Sequence, residues 1–334
     1  MSHGAITLTG IEPRGVIEGG RVWLRGTGLP PVVGTDPAIS IGGAAARVVF
    51  AAPDRVAVVV PAAAAAGRAP VRATWAPGAT LFVDVGTRLA TGLHQVDSPA
   101  AGRDGWIYAA FSGSRGQESA VSVYRVTPEG DREAFVEGIV NATGLALSPD
   151  GVLHVSSRYE GVVYRIAPDG RAESMAAELG VACGLAFAPD GSLFVGDRSG
   201  TIHRVSGGGA RVETFATLPP SVAAFHLAFG PDEQLYVTAP TLATHDAVHR
   251  FDASGRHETL DVTFGRPQGL AFDRHGVLHV VEALAGASAI YRLDPGAPRR
   301  PVVAGPGLVG VTFAADGALL AASADSLYRF PAAA

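Results

Sequence analysis

One sentence of sequence recurs through most of this 334-residue chain, and a repeat of fixed period restricts architecture more tightly than any other feature. "GLALSPDGVLHVSSRYEGVVYRI" at 144–166 returns as "GLAFAPDGSLFVGDRSGTIHRV" at 184–205. It returns again, with more drift, as "LAFGPDEQLYVTAPTLATHDAVHRF" at 227–251 and "GLAFDRHGVLHVVEALAGASAIYRL" at 269–293. Anchored on Gly105, Gly151, Gly191, Glu233, Gly276 and Gly317, the units are spaced by 46, 40, 42, 43 and 41 residues. Each reads as an apolar strand, a turn of the Pro-Asp-Gly type, a second strand, a third ending in a form of "VYRI", and a more variable fourth. Four strands in roughly 40 residues is the signature of a β-propeller blade, so an all-β, six-bladed propeller is predicted over 87–334. The last unit stops at "SLYRFPAAA" without a fourth strand, and the segment 80–92, "TLFVDVGTRLATG", is predicted to supply it and close the ring.

The first 86 residues lack the repeat. They contain seven short β-branched segments, among them "AITLTGI", "RVWLRGTGL" and "RVAVVVP", separated by Gly/Pro turns, which predicts a small sandwich ahead of the propeller. The junction has no Gly/Ser linker, so the two parts are expected to be joined closely. A content of 47% hydrophobic and 17% charged residues suits a folded, turn-rich chain and argues against disorder. The net charge of −5 supplies no basic field for nucleic acid or anionic membrane. No apolar run approaches a membrane span and no secretory leader is evident, so a cytoplasmic location is expected. The single cysteine, Cys183, excludes an intrachain disulfide.

Two family resemblances follow. Pro13, Gly19, Gly20, Gly26, Gly28, Gly42, Gly43 and Pro61 carry a pattern that resembles the IPT/TIG family of immunoglobulin-like domains across most of 4–86. Such domains act as structural or interaction modules, so a protein partner could be met there. The propeller form "GLAFxPDGxLxVxD…IxRV" resembles NHL-repeat proteins and the senescence-marker-protein/gluconolactonase family. That resemblance implies lactone hydrolysis by a divalent metal held at the channel mouth, with a glutamate from an "EGP" motif as one ligand. Asp97, in "DSPAAGRDG", occupies that glutamate's place. The family's amides and carboxylates in later blades are replaced by Thr143, Cys183 and Gln268, so calcium-type ligation, which wants several oxygens, is put in doubt.

The variable words point to the same end of the channel. Eight residues before each anchor stand Asp97, Thr143, Cys183, Phe225, Gln268 and Val309, and His226 replaces the glycine found next in the sister units. Asp97, Cys183 and His226 form a candidate zinc site with an open position; alternatively Cys183 is a nucleophile activated by His226. The bland readings are a buried thiol acting as a small hydrophobe and a histidine that only bonds a loop. Seven residues past their anchors, Arg158 and Arg198 coincide, and Arg115 lies in a longer loop. Together they form a candidate site for a substrate anion, against the alternative of surface ion pairs. Glu282, set among Val, Ala and Leu, is a candidate general acid or base; like Asp197 in the same register, it could instead only accept backbone hydrogen bonds. His154, His203 and His249 take places held by aromatic residues in sister units and are expected to pack. The expected function is hydrolysis of a small anionic lactone or ester, with a lyase or synthase and a non-catalytic binding propeller as alternatives.

Overall fold

The computed structural model describes residues 6–31, 38–286 and 288–332; Ala5, the first residue of the expected strand "AITLTGI", lies outside them. Six four-stranded antiparallel blades surround a central channel. Blade two shows the common plan: Ala142–Leu147 innermost, then Leu153–Ser157, Val162–Ile166 and Ala172–Ala176. Blade three follows it with Ala182–Phe187, Leu193–Asp197, Thr201–Ser206 and Arg211–Thr217. The glycine of the Pro-Asp-Gly turn adopts positive φ, 85° at Gly151 and 81° at Gly191, where a side chain would be strained. Blade four puts Glu233 there at φ 60°.

Six apolar clusters hold the blades together, one at each interface. The contact of blades two and three, for instance, buries Val163, Leu179, Leu185, Leu193 and Val195, and that of blades three and four buries Phe194, Ile202, Phe225, Leu235 and Val237. The sixth joins Leu89, Leu320 and Leu327 to Ile107 and Val126, so the ring of contacts is complete. Its closure is made by Thr87–Ala90, which pairs antiparallel with Leu327–Phe330 and completes the last blade.

The inner strands approach too closely for a side chain at one level. A Cβ on Gly144 would collide with the Cys183 carbonyl, one on Gly184 with the Phe225 carbonyl, and one on Gly310 with the Ser98 backbone. Crowding explains why "GLAF" opens with glycine. Register places His226, opposite Thr238, at this level in blade four.

Residues 6–31 and 38–85 form two further sheets around one core of Val22, Leu24, Ile39, Ile41, Val56, Val58, Val71 and Val83. One sheet is free. The other runs on into blade five, because Gly15–Val16 pairs in parallel with both Val303–Ala304 and Asp84–Val85. Ile17 enters the cluster between blades five and six, and Glu18 accepts a hydrogen bond from Tyr328 Oη at 2.8 Å and pairs with Arg88 at 3.0 Å. The junction is a continuous sheet.

Candidate functional site at the channel mouth

His226 is 1% exposed, and its imidazole reaches across the channel to partners in two other blades. Nδ1 lies 2.5 Å from Asp97 Oδ1 of blade one, and Nε2 lies 3.2 Å from Gln268 Oε1 of blade five. The same carboxylate oxygen accepts the Ser98 backbone N–H at 2.6 Å. Thr238, opposite His226 in the strand ladder, donates its hydroxyl to the Gln268 carbonyl at 2.6 Å and holds that strand in place. Gln268 presents Oε1, an acceptor, to Nε2; a neutral ring that gives Nδ1–H to Asp97 needs the amide turned over to offer NH₂ to the Nε2 lone pair, whereas a doubly protonated ring donates to Oε1 as it stands. Both protonation states are thus accommodated by rotation of one amide.

Beside this row lies a cavity of about 220 Å³ lined by Thr143, Arg158, Cys183, Arg198, Gln268 and Val309, with Val96 and the segment 222–224 as apolar wall. Four residues of the inner-strand level, Thr143, Cys183, Gln268 and Val309, therefore share one opening. Phe225 does not: it is fully buried and turned into the cluster between blades three and four.

Cys183 does not have the surroundings of a nucleophile. Burial, with the Asp97 charge adding to it, pushes its thiol up to about 12, and the S–H donates to the Val181 carbonyl at 3.3 Å. A protonated thiol is a poor ligand and a poor attacker. The expected zinc set fails on the same ground: the thiol is neutral, Asp97 Oδ1 is engaged by His226 and Ser98, and among the described residues no group of three His, Cys, Asp or Glu side chains has metal-holding geometry. The donors present do not fit a zinc or calcium ion.

Glu282 is held apart from the cavity lining. It is 1% exposed, its oxygens accept the backbone N–H groups of Gly265, Arg266 and Leu284, and Arg299 lies 3.6 Å away. Asp197 accepts the N–H groups of Val181 and Ser199 in the equivalent place. Both are acids at a strand end that satisfy the backbone entering the innermost strand of their own blade, and geometry gives Glu282 no role in proton transfer at the mouth.

The three arginines divide. Arg198 donates from Nε to the Ser221 carbonyl at 3.1 Å and from Nη2 to the Val222 carbonyl at 3.0 Å. Arg158 is half-buried, and its guanidinium has no hydrogen-bond or ion-pair partner among the described residues. Burial is the main cause holding its pKa below the usual arginine value, and repulsion from Arg198 and Arg115 adds to it. Arg115 is exposed and stands outside the cavity lining. Its loop is fixed by Asn141, a buried residue at φ 52° that sequence reasoning missed. The Asn141 amide donates to the Ser112 and Ser114 carbonyls at 2.5 and 2.8 Å and accepts the Gly116 N–H at 2.7 Å. The available signal was an asparagine, the residue most tolerant of left-handed backbone after glycine, opening "NATG" at 141–144.

No protein-family model and no curated protein sequence matches the chain. Solved structures do. A gluconolactonase from Xanthomonas campestris superposes with a TM-score of 0.62 at 18% identity, over 73% of this chain and 88% of its own. An auxiliary nutrient binding protein from Bacteroides thetaiotaomicron gives 0.58 at 12% identity, over 98% of each chain. A catalytically inactive histidine-to-alanine variant of virginiamycin B lyase from Staphylococcus aureus, solved with quinupristin, gives 0.55 at 15% identity, over 98% and 96%. At such identities the likeness shows the fold, a gluconolactonase-like and lyase-like β-propeller, and nothing of the chemistry.

Proposed function

We propose that the channel mouth hydrolyses a small anionic lactone or ester without a metal, with His226 as general base and Asp97 as the group that fixes its tautomer. The observation that carries this reading is the Asp97–His226 pair, whose histidine is buried at the level where four sister blades hold glycine. Swinging Gln268 aside uncovers Nε2. As a water oxygen bonds to the acyl carbon, Nε2 takes the water's proton and the carbonyl electron pair moves to its oxygen. Collapse of that adduct breaks the acyl–oxygen bond, and the leaving alkoxide recovers the proton from Nε2–H, giving a hydroxy acid. The arginines at the cavity favour an anionic substrate. Residues 6–85 supply an IPT/TIG-like module that stiffens the ring and can meet a protein partner, and the protein acts in the cytoplasm.

The test is hydrolysis of a panel of lactones and esters by wild type, Asp97→Asn and His226→Asn, with melting curves to show that each variant folds. Removing one partner of a buried pair by truncation costs about 3–5 kcal/mol, which is why asparagine is chosen over alanine. Loss of a general base lowers kcat by about 10²–10⁴. Full activity in folded His226→Asn overturns the assignment. Hydrolysis adds the elements of water to the substrate and elimination does not, so product mass separates lactonase from lyase. A second reading, a non-catalytic binding propeller, is favoured by Gln268 capping Nε2 and by the nutrient binding protein that matches the whole chain; ligand binding with no turnover selects it.

A further inference from the structure

We infer that Arg158 is the specificity residue of the cavity and takes a single substrate carboxylate, while Arg198 is a positioning residue that builds the wall. The inference rests on the proposed small-molecule site and adds its ligand chemistry.

A census of hydrogen-bond donors at the cavity decides between the arginines. The Thr143 hydroxyl is given to the Asn141 carbonyl at 2.8 Å, and the Cys183 thiol to that of Val181. The Ala223 N–H goes to Ser221 Oγ at 3.2 Å, and Gln268, whose Oε1 faces His226, offers a neutral NH₂ that carries no charge to an anion. Two nitrogens of Arg198 are spent on the carbonyls of 221 and 222, and the Arg198 carbonyl in turn accepts the Ser221 N–H at 3.0 Å. That closed set of bonds holds the segment whose Val222, Ala223 and Ala224 line the opening.

Arg158 alone keeps its whole fork. Neighbouring acids are engaged elsewhere: Asp197 with backbone donors, Glu160 with the Tyr164 hydroxyl at 3.2 Å, and Asp97 with His226. A half-buried cation without a counter-charge gains from one, and a planar two-oxygen anion matches the fork. One free fork calls for one carboxylate. A phosphate would ask for further donors, and the remaining wall is Val96, Val309 and the apolar 222–224 segment.

The experiment is calorimetric titration of the full chain with lactate, gluconate and propionate, each beside its primary amide, and with inorganic phosphate. Wild type is expected to bind at least one carboxylate about tenfold or more over its amide, the scale of a charge-assisted pair. Arg158→Gln removes that preference, and Arg158→Lys, which keeps the charge and loses the fork, restores part of it. His226→Asn keeps the preference, so failure of the proposed catalysis and failure of this inference give different results. Arg198→Gln weakens acid and amide alike and lowers the melting temperature. Equal binding of acid and amide, a preference that survives in folded Arg158→Gln, tighter binding of phosphate, or no binding of any carboxylate overturns the inference.

Discussion

At the scale of single residues, the cavity depends on which polar atoms are committed and which are free. Cys183 is committed. With its thiol near 12 and its sulfur inside the ring, iodoacetamide at pH 8 should leave the native protein unlabelled over hours in which the urea-unfolded chain labels fully. Labelling at a rate near that of a free thiol would show a thiolate and revive nucleophilic chemistry. His226 was legible from the sequence because a repeat makes any departure visible, and a histidine in a glycine's place is a large one. Repeat register also brought Asp97 to the same mouth across 129 positions, but the direct hydrogen bond between the two side chains was not legible, because register fixes a level and not which side chains touch. For Glu282 the sequence left two roles open, and its shared register with Asp197 pointed to the one the structure shows, acceptance of backbone N–H groups.

At the scale of elements, blade spacing is set where glycines let inner strands touch. Gly184→Ala forces a methyl against the Phe225 carbonyl and the Leu227 side chain. Overpacking of this kind costs about 1–3 kcal/mol, so the midpoint of denaturant unfolding should fall, whereas Gly78→Ala, with open space around its Cβ position, should leave it in place. An unchanged midpoint for Gly184→Ala would mean that the blades can spread, and that crowding is not what reserves this level for glycine. The strands themselves were readable because turn glycines and alternating apolar residues recur at a fixed interval. Blade one shows the limit: its innermost strand shrinks to Ala100–Ala101, and the backbone ahead of it is given over to Asp97 and Ser98.

At the scale of the molecule, burial makes several histidines resist protonation. Desolvation is the leading cause that holds His154, His203, His249 and His279 below the usual value of 6.5. His154 and His279 donate Nδ1–H to the carbonyls of Val152 and Val277 and pack edge-on against Phe187 and Phe313. Because the unfolded chain takes up these protons first, stability is fully present above pH 6.5 and is lost as pH falls from there through the lower folded-state values. Melting temperatures measured between pH 8 and 5 should decline below about 6.5, and His154→Phe should flatten part of that slope; a profile indifferent to pH across this range would refute the account. The repeat made the ring foreseeable, but the run of one N-terminal sheet into blade five was not, since parallel pairing of two residues, Gly15–Val16, leaves no periodic trace.

Closing the ring with Thr87–Ala90 against Leu327–Phe330 also sets a timetable for synthesis. The clasp leaves the ribosome directly after the N-terminal sheets and must wait, unpaired, while five blades are translated. Only when the strand at 327–330 emerges can it be covered. A nascent chain interrupted anywhere in between exposes a ready template for another chain's strand, so prompt completion, or a chaperone that shields 87–90, becomes part of how this molecule reaches its shape.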